Sequence, residues 1–242
     1  MVRPPGGRLA RGPWPGHIAL ATWTGTPEGR ELLVDKNVIE LGATMGLVGA
    51  AAYHDRLGDC AECCLTAFGR EIVRGGVEIS ISARRSTVPA DRWSFCSQVE
   101  NLERPDANNG CRVQRLNWYD FEGDDGNDVE AAGKDALASC GRVDVALAAE
   151  VVDHDNGLRL AKTLNHMATL NPNFKAVLVE EVGHPWFRDD VLPALARFGF
   201  FVDKQTCEDV EKLLENNIEM MGVDWSGWQR VTIWKEPVAG GG

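Results

Sequence analysis

Apolar runs of strand length alternate with amphipathic segments of helix length along most of the chain. "NVIEL" (37–41) reads as a first strand. "GLVGAAAYHDRLG" (46–58) follows as a small-residue helix, with Gly58 as its stop. "ECCLTA" (62–67) and "CRVQRL" (111–116) read as the second and third strands. "RVDVALAAEVV" (142–152) and "FKAVLVEEV" (174–182) are nearly unbroken apolar runs, as expected of strands buried on both faces. In 157–170, Leu160, Ala161, Leu164, Met167 and Ala168 recur at helical spacing, after the cap candidates Asp155 and Asn156. Residues 189–198, "DDVLPALARF", predict a helix in which Pro193 is tolerable only near the first turn. "FGFFVDKQT" then reads as a strand, and 207–221 as a helix with Val210, Leu213, Leu214, Ile218 and Met221 on one face. "WQRVTIWKE" (228–236) alternates as a strand before a glycine tail.

This alternation predicts an α/β chain with a doubly wound, mostly parallel sheet. In such sheets ligands bind at the carboxyl ends of the strands, where strand order reverses. The 242 residues suit one domain, taken as 13–236. Residues 1–12 read as a disordered lead, 237–242 as a flexible tail, and 69–96, poor in periodic pattern, as an insertion or irregular loop.

Composition narrows the function. The net charge of −11 argues against nucleic-acid binding, which needs clustered Lys and Arg, and Arg84-Arg85 is the only adjacent basic pair. An acidic surface suits a basic partner, such as a lysine-bearing protein, through steering. No apolar run reaches the ~18 residues of a membrane span. The basic, Pro/Gly-rich opening "MVRPPGGRLARGPWPG" lacks a secretory core. Seven cysteines, an odd number, then argue for reduced thiols and a cytoplasmic setting, with the nucleus also open. "CAECC" holds one C-x-x-C (Cys60, Cys63) without the second pair a zinc site needs, so no metal is expected. Cys63 and Cys64 read as small hydrophobes of a buried strand.

The candidate chemistry lies in "ELGATMG" (40–46). The first strand ends at Leu41. Gly42 permits a sharp exit, and Gly46 opens a helix whose first amides face the crevice. The pattern is G-x-x-x-G and not the dinucleotide fingerprint G-x-G-x-x-G. Thr44 puts a β-branched side chain where glycine would admit a ligand. On the pattern alone, a cofactor turn and a plain scaffold turn both remain open.

A wider stretch carries a resemblance. "RGPWPGHIALATWTGTPEGRELLVDKNVIELGATMGLVGAAAYHDRLG" (11–58) resembles the opening of seven-β-strand S-adenosylmethionine-dependent methyltransferases. More narrowly it is similar to the protein-lysine methyltransferase group (methyltransferase-like family 16) that includes the chaperone- and calmodulin-lysine enzymes. The shared marks are Trp14-Pro15 before an apolar helix (17–23) and the turn at 38–49, similar to "VLELGAGTGLVG". Further on, "RLNWYDF" (115–121) and "DVALAAEVVDHD" (144–155) are similar to the group's "LDWG" and "DLILGADVVY" stretches. The resemblance spans about residues 12–236.

It implies a seven-stranded, Rossmann-like methyltransferase fold with S-adenosylmethionine as cofactor. Trp14 would close over the methionine end. Gly42, Ala43 and Thr44 would form the turn beneath it, with Gly46 behind. Trp118 would lie against the adenine, and Ala149 would line the pocket. Glu150 and Asp153, in place of the group's Asp-x-x-Tyr, would attract and orient a lysine cation. His184 and Trp186 are further candidates for the acceptor channel. The implied partner is a lysine-bearing protein, and a monomer is expected.

Three departures stand against this pattern. Thr44 and Met45 replace Gly-Thr. Ala67 stands where an acidic residue would accept hydrogen bonds from the ribose hydroxyls, with Glu71 the nearest carboxylate. Asp153 replaces an aromatic ring. They keep a second reading open: a catalytically inactive module on the same scaffold. A nucleotide-dependent oxidoreductase is disfavoured by the missing fingerprint and ribose acid.

Overall fold

The computed structural model describes residues 14–43, 46–53, 60–67, 111–116, 134, 137–138, 140–152, 156–208 and 224–236, with backbone alone for 62–67 and 111–115. The expected 69–96 insertion, the 209–221 part of the last expected helix and both termini lie outside these residues.

Two short helices precede the sheet. Helix α1 (Pro15–Thr24) starts with proline at its first position, where a missing N–H costs nothing. The extended Trp14 before it accepts the His17 and Ile18 N–H groups at its carbonyl. Helix α2 (Pro27–Leu33) repeats the device, with Thr26 Oγ1 accepting the Gly29 N–H at 3.0 Å. The periodicity did not anticipate α2, because seven residues are too few to show a stripe.

Seven strands then form one sheet. They are β1 (Asn37–Leu41), β2 (Glu62–Ala67), β3 (Cys111–Arg115), β4 (Val145–Ala149), β5 (Lys175–Glu181), β6 (Phe201–Thr206) and β7 (Trp228–Trp234). Their order is β3-β2-β1-β4-β5-β7-β6. Strands β1 to β5 pair in parallel, and β7 runs antiparallel between β5 and β6. The sheet is therefore mixed, and the α/β class expected from the alternation holds. Helix α3 (Leu47–Tyr53) follows β1, α4 (Gly157–Leu170) follows β4, and α5 (Leu192–Arg197) follows β5.

The unbroken apolar strands are explained by two cores. Ile39, Leu41, Ala146, Ala148, Ala176 and Leu178 point to one face, against Leu160, Leu164 and Leu195 of α4 and α5. Val38, Val145, Leu147, Ala149, Val177 and Val179 point to the other, against Leu20, Trp23 and Val48 of α1 and α3. Successive residues serve opposite cores, so polar alternation never appears. Each fully buried Leu, Ile or Val contributes roughly 1.5–3 kcal/mol.

Several expectations need correction. Strand β4 starts at Val145 and not Arg142. The Asp144 side chain accepts the Asn37 N–H (3.1 Å) and an Asn171 Nδ2 proton (2.8 Å) and so ends the run. Asn156 occupies the cap position of α4 but does not cap it; its Nδ2 donates to the Val151 carbonyl at 2.9 Å. The cap comes from Asp190, whose Oδ2 accepts the Gly157 N–H at 2.8 Å. The helix expected over 189–198 opens as a π-helical turn (Phe187–Val191), with Pro193 second in the α-helical part that follows. The wider turn suits proline, which cannot donate a hydrogen bond and crowds the preceding turn. Strand β7 alternates in sequence yet is buried at most positions, because it lies inside the sheet. Its Arg230 is accommodated by Glu28 (Nη2 to Oε2, 3.0 Å) and by the face of Trp23.

Candidate functional site

The chain lays β2 and β3 on one side of β1, then returns to place β4 on the other. Strand order thus reverses between β1 and β4, where a sheet of this kind opens a crevice at its carboxyl edge.

One wall is the exit from β1. Gly42 has φ +72° and Gly46 φ +66°, both left-handed. Ala43 between them is buried. A Cβ on Gly42 would lie 2.7 Å from Val151 Cγ1. Glycine is therefore required there twice, by its backbone angle and by the close approach of the loop after β4. The floor of the turn is tied down by Glu40, only 1% exposed, whose Oε2 accepts the Gly49 N–H of α3 at 2.7 Å. Burial pushes the Glu40 carboxyl up to about 7, against the opposing pull of that hydrogen bond and of His17.

The other wall is the exit from β4. Ala149 is buried, and Glu150 turns left-handed at φ +52°, a conformation few non-glycine residues adopt. This turn sends the Glu150 side chain to the start of α1. Its Oε2 accepts the Gly16 N–H at 3.0 Å and lies 3.6 Å from His17 Nδ1. A helix N-terminus favours such a carboxylate. The packing is close: a Cβ on Gly16 would meet Glu150 Cγ at 2.8 Å and the Trp228 ring at 3.0 Å.

Behind the turn stands Glu180 of β5, 2% exposed. Its Oε1 accepts the N–H groups of Val151 (3.0 Å) and Val152 (3.2 Å). Burial pushes its carboxyl up to about 8, with the Glu150 and Glu181 charges adding and the two backbone hydrogen bonds opposing. Beyond β5, the His184 and Trp186 rings meet edge-on at 5.4 Å, with Val182 53% and Trp186 38% exposed.

Of the expected site residues, Gly42, Ala43 and Gly46 leave β1, and Ala149 and Glu150 close β4. The half-buried Trp14 caps the helix that Glu150 reaches. Thr44, Trp118 and Asp153 lie outside the described residues, as does Glu71. Ala67 ends β2 beside β1, so that position offers no carboxylate. Glu150 was expected to face an incoming cation, but its carboxylate faces the first turn of α1. The sequence reading missed Glu40 and Glu180 as site-forming groups. Their signal is an acid inside an otherwise apolar strand run, in "NVIEL" and "VLVEEV".

No family profile matches the chain, and no curated protein does. Solved structures do. A TehB-like S-adenosylmethionine-dependent methyltransferase from Corynebacterium glutamicum matches at 12% identity and TM-score 0.48, over 94% of this chain and 91% of that one. Fibrillarin from Aeropyrum pernix, with natively bound S-adenosyl-L-methionine, matches at 10% identity and TM-score 0.48, over 95% and 85%. TrmN from Thermus thermophilus matches at 12% identity and TM-score 0.49, over 90% of this chain but 48% of its own. At these identities and scores, nothing about the chemistry of this chain is inferred from them.

Proposed function

We propose that this chain is an S-adenosylmethionine-dependent methyltransferase on a doubly wound sheet, and that its acceptor is a lysine of a partner protein. The observation that supports it most is the β1 exit: a left-handed Gly42 at the order reversal, on a turn that resembles the family's cofactor turn. The fit has two sides. Left-handed glycines at both ends of the turn suit the backbone to a nucleoside-type ligand at close range. The missing carboxylate at Ala67 removes a ribose acceptor, and charged acceptors of that kind contribute roughly 1.5–3 kcal/mol per hydrogen bond. Binding is therefore weaker than an intact acceptor would give.

When bound, the cofactor would supply an electrophilic methyl on a sulfonium for in-line transfer to a neutral amine. Gly42 and Ala43 would floor its site, with Ala149 at the wall and Trp14 over the methionine end. Glu150 is engaged by the Gly16 N–H, and it would act on the acceptor by holding α1 and Trp14 at the crevice. The lysine must reach the site as the neutral amine, its proton released to bulk solvent beforehand, because only the free lone pair can attack the methyl. The net charge of −11 favours a basic partner through steering.

Calorimetric titration with S-adenosylmethionine and its demethylated product tests the reading. Saturable heat supports it; none at millimolar ligand overturns it. Binding gained only in the Thr44→Gly/Ala67→Asp variant would identify a decayed site, the inactive module of the second reading. Labelled cofactor in a whole-cell lysate then reports whether a protein lysine acquires the methyl group.

A further inference from the structure

The turn after β4 reaches both neighbours of the crevice. Val151 packs over Gly42 of the β1 exit, and Glu150 binds the Gly16 N–H of α1. The turn carries a left-handed non-glycine residue, which holds that shape only where its surroundings impose it. What imposes it lies on β5. Glu180 takes two successive N–H groups, Val151 and Val152, on one oxygen, and Asn156 binds the Val151 carbonyl from the far side. Both backbone polar groups of Val151 are thus held by side chains from outside the turn.

We propose that Glu180 is the positioning residue of the crevice, fixing the 150–152 turn so that one buried carboxyl sets the places of both the β1 exit and the α1 start. This deepens the proposed function and rests on it for the link to cofactor binding. Glu180 touches neither cofactor nor acceptor in this scheme. It acts through Val151 on one wall and through Glu150 on the other. The charges acting on it are those of Glu150 in the turn and Glu181 along β5, while β7 opposite presents the neutral Gln229. Burial and the Glu150 charge oppose ionisation of Glu180 while the two N–H groups favour it, so a change of its charge is felt at the turn.

The test uses the full chain with Glu180→Ala and Glu180→Gln, and amide hydrogen exchange read by NMR. In Glu180→Ala the Val151 and Val152 amides should exchange roughly tenfold faster, the worth of a hydrogen bond of about 1.4 kcal/mol, while Val177 in β5 keeps its protection. Glu180→Gln keeps an acceptor oxygen and should restore wild-type exchange at neutral pH. In the wild type the two amide shifts should titrate near pH 8, where the raised carboxyl ionises, and in Glu180→Gln they should stay flat. S-adenosylmethionine affinity should follow the same order, falling in Glu180→Ala and recovering in Glu180→Gln. Unchanged exchange in Glu180→Ala, or Glu180→Gln as unprotected as Glu180→Ala, overturns the role. Should Glu180→Ala not fold, the wild type decides: Val151 and Val152 amides that exchange as fast as exposed loop amides overturn it as well. A wild type that binds no cofactor overturns the proposed function, and exchange still decides the role of Glu180 in the turn.

Discussion

Gly42→Ala perturbs the crevice at one atom. The added Cβ would sit 2.7 Å from Val151 Cγ1, on a backbone at φ +72°. Alanine in the left-handed region costs roughly 1–2 kcal/mol. Forcing a methyl into a filled contact adds roughly 1–3 kcal/mol. Together they give about 2–5 kcal/mol of lost stability, and a double-mutant cycle separates them. Val151→Ala removes the obstructing methyls and should cost about 1 kcal/mol by itself. In the pair, the clash is gone but the backbone cost stays. The double variant should then be more stable than the sum of the singles by the relieved clash, roughly 1–3 kcal/mol, outside the ~0.5 kcal/mol expected of independent sites. Urea unfolding at constant pH measures all four corners. Additivity within that error would refute the contact between the two loops. A Gly42→Ala cost below about 0.5 kcal/mol would refute the left-handed turn.

Two further outcomes are expected. Glu40 holds a proton in the folded chain up to about pH 7, where the unfolded chain has released it from about 4.5. Its folded pKa is raised, so stability should fall as pH rises through that window, by up to about 3 kcal/mol. Glu40→Gln keeps the acceptor for Gly49 and should make the fall shallower, leaving the part that the raised Glu180 carboxyl contributes; parallel wild-type and variant curves would show that Glu40 does not titrate there. Asp190→Ala should cost about 1 kcal/mol by uncapping α4, with Asp190→Asn milder, as read from urea midpoints. No loss in Asp190→Ala would return the cap to the residues before Gly157.

Strands β1 and β2 were legible to the residue, because "NVIEL" and "ECCLTA" end at a turn glycine and at a change of pattern. Helix α2 was not, though Thr26-Pro27 is a start signal that could have found it. The cap of α4 was beyond local reading: Asp190 lies 33 residues from the amide it serves, while the nearby Asn156 is drawn to Val151. Strand β7 misled by its alternation, since the partners that tolerate its polar residues, such as Glu28 for Arg230, come from the other end of the chain. At the site, Gly42 announced itself as glycine. Glu150 did not announce its left-handed backbone, because that shape is imposed by contacts and not by the residue. Glu40 and Glu180 were passed over as charges inside apolar runs, where the acids that organise a buried turn reside.

The bond from Gly16 to Glu150 joins residues 134 positions apart. Helix α1 is made early in synthesis, yet its anchor does not exist until β4 has left the ribosome, and Glu180 of β5 arrives later still. Loop-closure entropy delays contacts of such separation. The crevice therefore cannot be complete before β5 has been made. Before that point α1 can pack on α3, which precedes β4, but its first turn still lacks the carboxylate that fixes it to the crevice.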